Sequence, residues 1–196
     1  MSKSNNQAPG FLIMAAGQSR RFGADCKLST PVVNGQSMLQ RVVGAVSSVS
    51  CRVCVVYSGA NKSVEGSLAP QVTRSIVYPG NSPGLGDSIA FGVQANPAWG
   101  GWIICLADMP YISQHVYQQI AQQGPQHSIL APAYKGRRGH PVFFSGEFFG
   151  ALTALQGDSG AASILKDHKD RLELFSTSCV GVIQDIDKPA DLRAPS

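Results

Sequence analysis

The stretch FLIMAAGQSRRFGADCKL, Phe11 to Leu28, opens as a buried strand and then abruptly stops being one. Four apolar residues lead into Ala15 and Ala16. Gly17, a polar and basic run through Ser19 to Arg21, Gly23 and finally Lys27 follow. Small residues let a backbone approach a ligand closely, and successive N–H groups in such a turn form an anion-binding concavity. Arg21 and Lys27 would add positive charge around a polyphosphate. The same residues also fit a plain strand–helix connection with solvated basic side chains. The loop is not a Walker A sequence, not G-x-G-x-x-G and not a G-x-S-x-G nucleophile elbow.

Working outward, the chain alternates strand and helix to its end. GFLIMAA, CRVCVVYSG, RSIVYPG, GWIICLAD, HSILAPAY, HPVFFS and VGVIQDID read as strands. SMLQRVVGAVSS places Met38, Leu39, Val42, Val43 and Val46 on one helical face. DSIAFGVQA, SQHVYQQIAQQ, GEFFGALTAL and DSGAASILKDHK read as further helices, and GNSPGLGDS as a long loop. This alternation predicts an α/β fold: one Rossmann-like domain over residues 9–193, with a mostly parallel twisted sheet and helices on both faces. Residues 1–8 are expected to be a loose tail. Ligands of such sheets bind outside the carboxyl ends of the strands, here the loops after Ala15, Tyr78 and Ala107.

The 196 residues are 43% hydrophobic and 14% charged, as in an ordinary globular domain. No apolar run approaches the ~20 residues that span a bilayer, so no membrane association and a cytoplasmic location are expected. A net charge of +4 suits anionic small molecules but supplies no basic stripe for nucleic acid. The five cysteines (26, 51, 54, 105 and 179) include one C-x-x-C, with no second pair to complete a metal set. They are expected as buried, reduced thiols.

Three other stretches carry chemistry. In LADMP, Asp108 emerges where an apolar strand reaches the carboxyl edge, placed either to ligate a hard cation or to cap the next turn. In VIQDIDKPADL, Asp187 or Asp185 supplies a second carboxylate, the other being solvated or capping a helix that starts at Pro189. YKGRRGHP gathers Lys135, Arg137, Arg138 and His140, either as a grip on a phosphorylated acceptor or as a turn between strands. Asp158 in GDSG is a helix N-cap on one reading and lies beside an anion at a helix N-terminus on the other.

Taken in order, AAGxSxRxG…K, LADMP and DIDKPADL resemble the MobA-like nucleotidyltransferase family over nearly the whole chain, from about Gly10 to Leu192. KLSTPVVNGQSML resembles the family's stretch after the lysine. GHPVFF and GDSGAASIL resemble the molybdenum cofactor (molybdopterin) cytidylyltransferases within it. The resemblance implies a nucleotide-diphospho-sugar transferase-like fold. It implies nucleotide contacts from Ala15, Ala16, Gly17 and Ser19, and phosphate contacts and catalysis from Arg21 and Lys27. Asp108 would bind Mg2+, with Asp187 as partner and Asp185 in reserve. Gly84 and Ser88 would lie near the base and ribose, and His140 and Asp158 near the acceptor. Two positions depart from the cytidylyltransferases: Asp87 stands within their serine-rich segment, and Ala162 replaces an arginine.

The activity implied is transfer of CMP from CTP to the terminal phosphate of molybdopterin or its molybdenum-loaded form, with release of pyrophosphate. A molybdenum hydroxylase is the partner expected to receive the product. The alternatives are GTP or another nucleotide as donor, a sugar or polyol phosphate as acceptor, or a non-catalytic carrier of the cofactor.

Overall fold

The computed structural model describes residues 8–17, 27–59, 64, 68, 74–80 and 84–192. The first strand, β1 (Gly10–Ala15), lies between β4 (Val53–Ser58) and β6 (Gly101–Leu106), parallel to both. All six of its residues are buried. Successive side chains of a strand point to opposite faces, so β1 seeds two cores at once. Phe11, Ile13 and Ala15 enter one apolar cluster, and Leu12 and Met14 the other.

The full strand order is β10-β7-β9-β6-β1-β4-β5, with β8 paired to β7. The remaining strands in this order are β5 (Arg74–Tyr78), β7 (Ile129–Tyr134), β8 (Arg137–Arg138), β9 (Val142–Ser145) and β10 (Leu172–Ser176). β9 runs antiparallel to β6 and β7, while β4/β5 and β7/β10 are parallel. The sheet is therefore mostly parallel, as the alternation of elements predicts. A separate hairpin pairs β2 (Pro31–Val33) with β3 (Gln36–Ser37). Asn34 and Gly35 both take positive φ between them, the signature of a tight two-residue turn.

Helices cover both faces. α1 (Met38–Ser47) and α3 (Gln114–Gln123) pack on the Phe11 side. α2 (Leu85–Gln94), α4 (Phe149–Thr153) and α5 (Ala162–Asp167) pack on the Leu12 side. α1 shows the local logic. The Gln40 amide donates to Ser37 Oγ (3.2 Å), and the Ser37 amide donates to Gln40 Oε1 (2.9 Å), forming a capping box. Its predicted face, Met38, Leu39, Val42, Val43 and Val46, is buried, each side chain contributing about 1.5–3 kcal/mol relative to exposure.

Some elements differ from the sequence expectation. VGVIQDID is not a strand: Val180–Ile183 forms a 3-10 turn. The edge position beside β7 is taken instead by β10, whose LELFS interleaves charge with apolar residues because much of it faces solvent. Gly181 also packs against the Tyr111 backbone, where a Cβ would stand 2.2 Å from the carbonyl oxygen. GNSPGLGDS is loop only as far as Gly84, since α2 begins at Leu85. α5 begins at Ala162 with Ala161 as N-cap, so Asp158 does not cap it. Cys54 and Cys105 are buried, but Cys51 is exposed and Cys179 half-buried.

Tyr117 on α3 is buried and meets Phe11 edge-to-face at 6.1 Å. Its hydroxyl has no hydrogen-bond partner among the described residues. An orphaned buried hydroxyl costs roughly 1–3 kcal/mol. Tyr117→Phe is therefore expected to leave stability unchanged or raise it by about 1 kcal/mol in a denaturant titration. A loss of 1 kcal/mol or more would mean that the hydroxyl is satisfied.

Candidate active site

The parallel pairing of β1 with β6 brings two chain exits together at one sheet edge. Met14 stands opposite Leu106, and the Ala107 amide donates to the Met14 carbonyl (3.1 Å). The glycine-containing loop therefore leaves β1 beside the LADMP turn that follows β6. A third segment joins them: the Ile186 amide donates to the Asp108 carbonyl at 3.0 Å, which brings Asp187 to the same edge.

Lys27, in a 3-10 turn over Lys27–Ser29, is the convergence point. Its Nζ lies 2.9 Å from Asp108 Oδ2 and 3.5 Å from Asp187 Oδ1. Lys27 is only 8% exposed, whereas the carboxylates reach further into solvent. One buried ammonium is thus flanked by two carboxylates from distant parts of the chain. This is a position where positive charge is electrostatically favoured. Two carboxylates are also what Mg2+ commonly takes from protein, the remaining positions going to water and phosphate oxygen. Among the described residues no group of three or more His, Cys, Asp or Glu could hold a metal alone.

Ala15 and Ala16 are buried and Gly17 is exposed at the loop's start. A Cβ at Gly17 would meet nothing within 4 Å among the described residues. Ser19 and Arg21 lie outside the described residues. Asp185 is exposed, while Asp187 is the acid that faces Lys27. Asp191 Oδ2 accepts from the amides of Asp187 (3.1 Å) and Lys188 (2.8 Å), holding this segment in place. An acid just inside a turn that starts at Pro189 is a legible reach-back cap, yet the sequence reading passed over Asp191. It also missed Arg41 on α1, whose Nε donates to the Pro110 carbonyl (3.2 Å) and braces the Asp108 turn.

On the other side of β6, a cavity of about 90 Å3 opens between Leu85 and Ile89 of α2 and Ala161 and Leu165 of the α5 segment. His140 and Arg138 contribute to its wall. His140 Nδ1 is buried without a hydrogen-bond partner among the described residues. Burial pushes the imidazole down to about 4 and the charge of Arg138 adds to this. A hydrogen bond to the Ile104 backbone and the charge of Asp185 pull the other way. Lys135 and Gly136, both at positive φ, form the tight turn between β7 and β8, so this part of YKGRRGHP is a hairpin. Asp158 is exposed beside this region. Gly84 and Ser88 belong to internal packing. Ser88 is 2% exposed with Oγ donating to the Gly84 carbonyl (2.9 Å), and a Cβ on Gly84 would stand 2.2 Å from the Gly157 backbone.

Residues 11–172 match the model of the MobA-like NTP transferase domain. The chain belongs to that family and is a nucleotidyltransferase. It is 29% identical over 190 residues to the purine catabolism protein PucB of Bacillus subtilis (strain 168), covering 92% of each chain. Among solved structures it resembles Rv0371c from Mycobacterium tuberculosis H37Rv (TM-score 0.84, 23% identity, 97% and 96% coverage). That protein has also been solved in complex with manganese (TM-score 0.78, 21% identity, 94% and 95% coverage). A nucleotidyl transferase from Methanothermobacter thermautotroptrophicus aligns with TM-score 0.80, 20% identity and 94% coverage of each chain. No helix of the described residues is long and apolar enough to cross a membrane.

His140 predicts a pH dependence of stability. Its folded pKa, about 4, lies below the ordinary histidine value of 6.5, so the unfolded chain binds the extra proton first on acidification. The contribution is complete above about pH 6.5 and is lost as pH falls towards 4. His140→Gln is expected to flatten this part of the stability curve in chemical denaturation. An unchanged slope would contradict a buried, neutral His140.

Proposed function

We propose that the chain transfers CMP from CTP to the terminal phosphate of molybdopterin or its molybdenum-loaded form and releases pyrophosphate. The observation that carries the reading is Lys27 held between Asp108 and Asp187 at the exit of the glycine-containing loop. In the transfer, a phosphate oxygen of the acceptor forms a bond to the α-phosphorus. The bond from that phosphorus to the bridging oxygen breaks, and its electron pair leaves with pyrophosphate. The attacking oxygen is already ionised, so no general base is needed. Rate enhancement comes from positioning and from neutralising charge on the phosphates.

Each residue then has a task. The amides around Ala15, Ala16 and Gly17 cradle the nucleotide. Lys27 donates to phosphate oxygens, and Arg21 and Ser19 extend the same cradle. Asp108 and Asp187 would hold Mg2+, which would supply charge neutralisation at the phosphates. His140 and Asp158 face the acceptor, with the His140 ring neutral. GHPVFF and GDSGAASIL support the cytidylyl branch. PucB's place in purine catabolism accords with a product destined for a molybdenum hydroxylase.

Pyrophosphate release from each of the four ribonucleotides, with Mg2+ and with or without molybdopterin, tests the reading. Release is expected with CTP and molybdopterin together. Preferential turnover of GTP would overturn the cytidylyl assignment. Asp108→Asn and Lys27→Ala are each expected to lower the rate by a factor on the order of 10² or more. Asp108→Asn also removes the nearer carboxylate of the buried Lys27, so its melting temperature is expected to fall, and its rate is compared at a temperature where the variant is folded. Near-normal activity with normal metal dependence in Asp108→Asn would remove it from the site.

A further inference from the structure

Asp87 is the acid that departs from the cytidylyltransferase pattern, and its surroundings give it a task unrelated to a nucleotide base. A single oxygen, Oδ2, accepts from the Gly84 amide (3.1 Å) and from the Gly157 amide (3.0 Å). The first bond closes the initial turn of α2, where a carboxylate also suits the helix dipole. The second reaches 70 residues along the chain to the turn that precedes α5. The Gly86 amide returns the connection by donating to the Gly157 carbonyl (2.8 Å).

The two backbones are in direct contact along this seam. A Cβ on Gly84 would stand 2.2 Å from the Gly157 carbonyl group, and one on Gly86 2.9 Å from the Gln156 and Gly157 oxygens. Gly157 itself takes φ +68°, a left-handed turn that presents its amide to Asp87. Leu85 and Ile89, beside Asp87 on α2, form one wall of the 90 Å3 cavity, and Ser159, Ala161 and Leu165 form the other. Both walls therefore hang from the same carboxylate.

We propose that Asp87 is a positioning residue. By tying the first turn of α2 to the 157–160 turn, it fixes the separation of the two cavity walls and so sets acceptor affinity without reading the nucleotide base. The proposal rests on the reading of the His140 side as the acceptor side. Asp87 Oδ2 already joins the two segments through both amides, which gives the carboxylate a structural task.

The test compares wild type, Asp87→Ala and Asp87→Asn. Asp87→Asn keeps a carbonyl oxygen that can accept from both amides. Hydrogen exchange is measured over 84–88 and 156–162, CTP and GTP binding with Mg2+ by calorimetry, and transfer kinetics with CTP and molybdopterin. In Asp87→Ala, exchange in both segments is expected to quicken together by about tenfold or more. The molybdopterin KM should rise about tenfold with kcat within about twofold, as for loss of uniform binding. The affinities for CTP and GTP should hold their wild-type ratio, and Asp87→Asn should recover most of the acceptor affinity. Unchanged exchange, exchange that quickens in one segment alone, an unchanged molybdopterin KM or a shifted CTP-to-GTP ratio each overturns the proposal. If the wild type transfers nothing to molybdopterin, the functional reading fails, and the setting of acceptor affinity falls with it. The exchange result then decides the clamp by itself.

Discussion

The ammonium of Lys27 between two carboxylates is the interaction on which the arrangement of this site depends. Asp108 lies 81 residues away along the chain and Asp187 lies 160 residues away. An ammonium that is almost wholly buried needs paired charge, because desolvation without a partner costs several kcal/mol. The sheet supplies one partner through the neighbouring exits of β1 and β6. The closing segment supplies the other through the Ile186 amide on the Asp108 carbonyl and the two amides held by Asp191. A place that favours positive charge is thus built into the fold, at the strand ends where α/β sheets bind ligands.

The second half of the molecule's chemistry lies across β6 and is built differently. The cavity between α2 and α5 is walled mostly by apolar side chains, with half-buried His140 and exposed Arg138 also lining it. Glycine matters here for contact: Gly84 and Gly86 let the α2 backbone rest directly on that of Gln156 and Gly157. The Asp87 carboxylate bridges the same seam through the Gly84 and Gly157 amides.

Much of this was legible in the sequence because it follows local rules. β1, β6 and α1 are long, strongly patterned segments, and the residues expected at their buried positions are buried. Asp108 stands out because it follows an apolar strand at the carboxyl edge, and Lys27 because it closes the glycine-containing loop after β1. Tertiary competition hid the rest. LELFS looks too charged for a strand until β7 is seen to offer it an edge, and VGVI looks like a strand until Gly181 packs on Tyr111. The bond from the Gly157 amide to Asp87 spans 70 residues, a pairing that local spacing does not reveal. The Ser88 hydroxyl donates to the Gly84 carbonyl one turn back. Short-range spacing shows where a polar side chain sits, but not which backbone group has already claimed it.

The most direct test of the central claim is anomalous diffraction from crystals grown with Mn2+ and a non-hydrolysable CTP analogue. The account predicts one manganese peak within coordination distance of the Asp108 and Asp187 carboxylates, with Lys27 turned from the aspartates onto a phosphate oxygen. A nucleotide bound with its metal elsewhere, and Lys27 still bridging both aspartates, would contradict it.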